Sequence, residues 1–175
     1  MQATLERDVD APAEMRQYLR FVLADAVFAV PIDSVREILE LGPTTALPMM
    51  PSFVRGVMNL RGAVVPVIDL AARYNLPPTI PGRRTCIVVV EVTPSGEHDG
   101  PRQVLGLLVD AVHEVLEAST ADMEDPPSLG TRISPHYIAG ITRAHGTMVL
   151  VLDLPRSLDD EELARLIASD AAVHA

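Results

Sequence analysis

The chain has 175 residues, is 48% apolar but only 3% aromatic, and carries a formal charge of −10. That length suits one domain, or two small units around a shared core, and the excess of carboxylate argues against a broad basic face for nucleic acid or an anionic membrane surface. All fourteen basic residues are arginine, which excludes a Schiff-base or P-loop lysine on this chain. The single cysteine, Cys86, allows no internal disulfide and fits a reducing compartment. No run approaches the roughly 18 apolar residues of a membrane span, and the polar, acidic N-terminus has no targeting character, so the expected location is the cytoplasm.

In chain order, residues 1–16 read as a flexible lead-in. YLRFVLA (18–24) and VFAVPI (27–32) have the β-branched and aromatic content of strands, with a turn expected at Asp25-Ala26. Asp33 is placed to cap a short helical turn before a third strand at 35–41. Pro43, Pro48 and Pro51 break the next stretch into extended pieces. FVRGVMNL and AVVPVIDL form a hairpin through Arg61-Gly62, where glycine supplies a positive φ, and Asp69 caps a short helix at AARY. After a proline-rich linker, TCIVVVEV, a polar loop at 93–102 and VLGLLVDAVHEVLE lead to an irregular stretch. YIAGITRA and TMVLVLDL then form a second hairpin through His145-Gly146. Ser157 and Asp160, with capping-box-like spacing, start a closing helix. About ten short strands with little helix predict two small antiparallel barrels, a form that removes exposed sheet edges.

Residues 53–70 and 137–154 are one pattern written twice, without a gap. Gly56/Gly140, Gly62/Gly146, Val65/Val149, Val67/Val151, Asp69/Asp153 and Leu70/Leu154 are identical, and Phe53/Tyr137 swap like for like. FAVPIDSVREILE (28–40) is echoed by LGLLVDAVHEVLE (105–117), with Asp33/Asp110, Val35/Val112 and Glu37/Glu114 retained. The chain therefore reads as two versions of one folding unit, and each half serves as a control for the other. Gly62/Gly146 and Asp69/Asp153 are accounted for by turn and cap geometry, whereas the shared Glu37/Glu114 stays open between a structural and a partner-facing role. Asn59 and Arg61 are not shared, since Arg143 and His145 replace them, so a partner-facing role is assigned to Arg61.

Catalytic patterns are absent: there is no GxSxG, GxGxxG, HExxH, CxxC or Walker sequence, and the five histidines stand apart. No catalytic residue, cofactor or metal is expected. A small-barrel module binding a peptide, and an enzyme with scattered carboxylates, stay open at this point as alternatives.

LPMMPSFVRGVMNLRGAVVPVIDLAARYNLP strongly resembles the central signature of CheW-type chemotaxis coupling proteins. SVREILE, VLGLLVDAVHEVLE and the YIAG…GTMVLVLDL stretch resemble the same family and stand in the expected order, covering residues 17–158. The resemblance implies a mainly β fold: two intertwined five-stranded SH3-like barrels with short helices and a C-terminal helix. The first barrel is expected at about 17–82, the second at about 83–158, and the helix and tail at 159–175. It implies a non-catalytic adaptor with two partners, the regulatory domain of a CheA-type histidine kinase and the cytoplasmic tip of methyl-accepting chemoreceptors. It implies recruitment to receptor arrays at the inner face of the membrane, without insertion and without nucleic acid. Carried over by position, Glu37 and Arg61 match an acidic–basic pair implicated in receptor coupling. Val35 and Gly56 match positions near the receptor groove, and Val112 is a further position on the second barrel. With Asn59 these make the expected partner-binding set. Glu37 and Arg61 are expected to pair, and a weaker expectation pairs Glu114 with His145.

Overall fold

The structure, a computed structural model, describes residues 13–93, 102–126, 133–161 and 163–165. Its strands are β1 (Met15–Leu23), β2 (Ala26–Pro31), β3 (Val35–Glu40), β4 (Val54–Leu60), β5 (Ala63–Asp69), β6 (Cys86–Val92), β7 (Gln103–Val109), β8 (Ala111–Ser119), β9 (Ile138–Ala144) and β10 (Thr147–Leu152). Two four-residue helices, α1 (Leu70–Arg73) and α2 (Leu154–Ser157), follow β5 and β10.

The strands form two five-stranded sheets ordered β8-β1-β2-β10-β9 and β3-β6-β7-β5-β4, named the β2 barrel and the β7 barrel after their middle strands. The sequence repeat equates β2 to β5 with β7 to β10, and chain order extends this to β1 and β6, so the two orders are the same order. Each barrel takes its first two strands from one copy and its last three from the other. The units have exchanged strands reciprocally, and the expected division near residue 82 does not occur: β1 and β2 pair with the second copy, β6 and β7 with the first. The barrels are also not wholly antiparallel. β10 runs parallel to β2, and β5 to β7, with Val151 opposite Ala29 and Val67 opposite Gly106 at equivalent register.

Each sheet is closed by one isolated bridge. Thr45 pairs with Val57 of β4, and Glu124 with Ile141 of β9, through backbone bonds of 2.7–2.9 Å. The repeated glycines sit beneath these crossings. A Cβ on Gly56 would lie 2.7 Å from the Thr45 carbonyl oxygen, and one on Gly140 would meet the Met123 side chain. Close approach of the closing segment explains why both copies carry glycine there.

The core has three parts. Val67, Ile87, Val89 and Leu108 fill the β7 barrel, and Tyr18, Ala29, Ala118, Ala144, Val149 and Val151 fill the β2 barrel. The opposite faces of the same strands, including Phe21, Phe28, Val88, Val90, Leu105 and Leu107, make one larger cluster between the barrels. Strands buried on both faces read as unbroken apolar runs, which accounts for CIVVVEV and VLGLLV. Cys86 lies half-buried at the start of β6, where burial pushes its thiol pKa up.

Asp69 caps α1 as expected. Its Oδ1 accepts from Ala72 N at 3.2 Å and its Oδ2 from Thr79 N at 3.2 Å, while Asp153 accepts from Arg156 N at 3.0 Å. Several expectations need correction. The β1–β2 turn is at Ala24 and Asp25, with φ of 46° and 67°. Asp33 lies inside a 3-10 turn, Ile32–Ser34, whose N-cap makes no side-chain bond. Its counterpart Asp110 accepts from Ala24 N instead, at 2.9 Å. Ser157 caps nothing: it is buried with its hydroxyl 2.7 Å from the Tyr74 hydroxyl, and Asp160 accepts from Leu163 N at 3.0 Å. Met15 and Arg16, placed in the lead-in, belong to β1. The rest of that lead-in before residue 13, most of the 93–102 loop and the tail beyond 165 lie outside the described residues.

Candidate functional site

β3 and β4 are opposite edges of the β7 sheet, so closing the barrel brings them together. A register shift between Val35 and Glu37 makes Arg36 an extra residue in β3 and leaves Glu37 half-buried beside the seam. Across it, the β4–β5 hairpin turns through Arg61 and Gly62, both at positive φ (52° and 88°), the backbone of a two-residue type I′ turn. The Asn59 side chain accepts from Gly62 N at 3.0 Å and steadies this turn. From it the Arg61 guanidinium reaches Glu37 with two hydrogen bonds, 2.5 Å to Oε2 and 2.8 Å to Oε1. This is the fork geometry that suits arginine to a carboxylate. The Arg61 hydrogen bond holds the Glu37 carboxyl below its ordinary pKa, against the opposing effect of burial, and Glu37 raises Arg61 in turn. With 71% of the Arg61 side chain exposed, the pair is a charged surface feature that ties the seam.

The other copy supplies the control. Glu114 and His145, at the equivalent positions, make no ion pair among the described residues. Arg20 donates to the Glu114 backbone carbonyl at 3.1 Å instead. The barrel therefore closes without such a pair, and the expected Glu114–His145 contact does not form.

The other predicted positions separate by place. Asn59 is exposed beside Arg61. Gly56 is buried under the closing bridge, where its steric role is sufficient. Val35 begins β3 and Val112 is the second residue of β8 in the other sheet, and both pack half-buried against the shared core. Thus Glu37, Asn59 and Arg61 form one surface patch, while Val35, Gly56 and Val112 sit in the framework around it.

Arg73 in α1 was missed. Its guanidinium stacks 5.0 Å from the Phe53 ring and 5.1 Å from the Tyr137 ring, and it donates to the Ser157 and Asp159 carbonyls at 2.7 and 3.4 Å. Phe53 and Tyr137 are equivalent in the repeat, so one arginine is held by both copies. The signal was present: position 73 is arginine in one copy and serine in the other.

A family model for the CheW-like domain matches residues 17–162. The chain belongs to the CheW-like domain family. It is 36% identical over 147 residues to a probable chemotaxis protein CheW of Rhizobium etli, covering 84% of this chain and 90% of that protein. It is 33% identical to the protein FrzA of Myxococcus xanthus, covering 75% and 76%. The crystal structure of the scaffolding protein TtCheW from Thermoanaerobacter tengcongensis superposes with a TM-score of 0.73 at 29% identity, covering 87% of this chain and 92% of that one. The chain is a member of a chemotaxis scaffold family and not of an enzyme family, and the open alternatives of an unrelated peptide-binding barrel and a scattered-carboxylate enzyme fall away. Among the described residues no helix is long and apolar enough to cross a membrane.

Proposed function

We propose that this chain couples methyl-accepting chemoreceptors to a CheA-type histidine kinase at the inner face of the membrane, and that the Glu37–Arg61 patch with Asn59 carries the receptor contact. The observation that favours this patch is the bidentate pair itself, present in one copy and missing from the other although both barrels close. A charged fork that the fold does not require is a candidate for recognition. Val35, Gly56 and Val112 then act as framework, holding the patch and the neighbouring groove walls in place. A receptor's helical hairpin would be recognised as a helix in a groove with a polar rim.

Such a scaffold has no need of tight single contacts. A micromolar contact is worth about −8 kcal/mol, and simultaneous engagement within an array raises effective affinity by a factor of about a hundred or more. A difference of about 1–3 kcal/mol between signalling states is then enough to control the kinase. The test is binding of the whole chain to a receptor cytoplasmic hairpin and to a kinase regulatory domain from the same genome, separately and together. Recruitment of the regulatory domain to immobilised receptor only when the chain is present is expected. Binding to neither partner, or to one at the exclusion of the other, contradicts the proposal.

A further inference from the structure

Beside the Glu37–Arg61 pair lies a cleft of about 380 Å³ between β3, the β4–β5 hairpin and the start of β7. Its walls include Val64, Pro66 and Val104, and three arginines line it: Arg36, Arg61 and Arg102. On a chain of net charge −10, that is a local reversal of sign.

The three guanidiniums are not equally committed. Arg61 is taken by Glu37 through both its terminal nitrogens. Arg36 is in a loose ion pair with Glu91, its Nε 3.9 Å from Oε2, which is longer than a hydrogen bond. Arg102 makes no hydrogen bond or ion pair among the described residues. Arg102 and the loosely paired Arg36 therefore line the cleft together with apolar residues.

The repeat shows that the fold does not call for them. Position 36 corresponds to His113, position 61 to His145, and position 102, just before β7, to Asp25, just before β2. The same end of the β2 barrel thus carries two histidines and an aspartate, yet its strands pair in the same order. The basic lining belongs to the β7 barrel alone, and the β2 barrel closes without its counterpart.

We propose that this cleft binds a partner segment bearing two carboxylates flanking an apolar side chain, with Arg36 and Arg102 each taking one carboxylate and Val64, Pro66 and Val104 contacting the apolar group. Charge complementarity selects this occupant, because a free guanidinium is satisfied best by a bidentate carboxylate. The inference rests on the coupling proposal only in expecting a protein partner. Its test uses neither receptor nor kinase, so the two can fail separately.

The probe is a short synthetic peptide with the repeat Glu-Leu-Glu, compared with the same peptide bearing Gln for Glu. Both are titrated into isotopically labelled full-length chain and followed by amide chemical shifts. The Glu peptide is expected to perturb β3, the β4–β5 hairpin and the start of β7, and to bind at least tenfold tighter than the Gln peptide. Raising salt from 50 to 500 mM should weaken it, since such contacts are screened. The double variant Arg36→Gln/Arg102→Gln should lose about tenfold in affinity, whereas Arg143→Gln on the other barrel leaves it unchanged. Equal binding of the two peptides, an unaffected double variant, perturbations elsewhere on the surface, or preferential binding of a single-stranded oligonucleotide would each overturn the proposal.

Discussion

At the scale of the residue, the decisive features are the Glu37–Arg61 fork and the turn that presents it. Arg61 occupies a left-handed position at φ 52°, a conformation that costs an L residue something and that asparagine tolerates better. His145 takes the same φ in the other copy without an ion pair, so what sets Arg61 apart is its pairing rather than its backbone. The repeat singled out Arg61, and the pairing with Glu37 was expected from the family resemblance. The bidentate geometry was not, since it depends on a barrel seam that brings together two residues 24 apart in the chain. The lowered Glu37 pKa carries a pH prediction. A carboxylate whose folded pKa is depressed contributes stability above its unfolded pKa, and that contribution is lost as pH falls through the folded value. The pair is thus intact at neutral pH and dissolves only below the usual carboxylate range. Carbon NMR titration should place the Glu37 midpoint below the ordinary 4.5, and Arg61→Asn should move it back up. An unchanged midpoint in Arg61→Asn would show that the pair does not set it.

At the scale of the element, two kinds of signal proved different in quality. Local ones were readable: Gly62 and Gly146 in their turns, and Asp69 and Asp153 as caps, because each effect is confined to a few neighbouring residues. Ser157 misled because its capping-box spacing is real but the Tyr74 hydroxyl, arriving from the other copy, takes its oxygen. The glycines under the closing bridges were visible as a repeat, though their cause was not, since it lies in short irregular segments, Thr45 between prolines and Glu124 after a 3-10 turn. Gly56→Ala forces a Cβ against the Thr45 backbone and should cost about 1–3 kcal/mol. Gly140→Ala should cost less, because there the nearest backbone atom, the Glu124 carbonyl oxygen, is 3.3 Å away and the closer clash is with the adaptable Met123 side chain. Chemical denaturation of both variants checks this, and equal losses would contradict the assignment of Gly56 to a backbone crossing.

At the scale of the whole molecule, the repeat showed two units, and their intertwining followed from the family resemblance, while the strands they exchange could not be read from the pattern. Copies with the same apolar alternation pair equally well with themselves or with each other, so nothing in the pattern of β1 distinguishes β3 from β8 as its neighbour. What holds the exchanged halves as one body is the core buried between the barrels, with Arg73 at its rim between Phe53 and Tyr137. Arg73→Ala should lower unfolding free energy by about 2–4 kcal/mol through lost cation–π contacts and charged hydrogen bonds. Arg73→Lys should recover only part of this, since an ammonium cannot reproduce the planar fork. Denaturant melts distinguish these outcomes, and full recovery by lysine would reduce the role of Arg73 to its charge.

The central claim is that a surface pair which the fold does not need is what the signalling partners need. Receptor-dependent activation of the cognate histidine kinase, measured with wild-type chain and Arg61→Asn side by side with their melting curves, tests it most directly. Asn-Gly suits the type I′ turn, and an exposed pair adds little to stability, so the variant should melt within about 3 °C of wild type. Its activation of the kinase should fall at least tenfold. Wild-type activation by a variant that has lost the pair, or a loss of activation that only follows a loss of folded protein, would contradict the account.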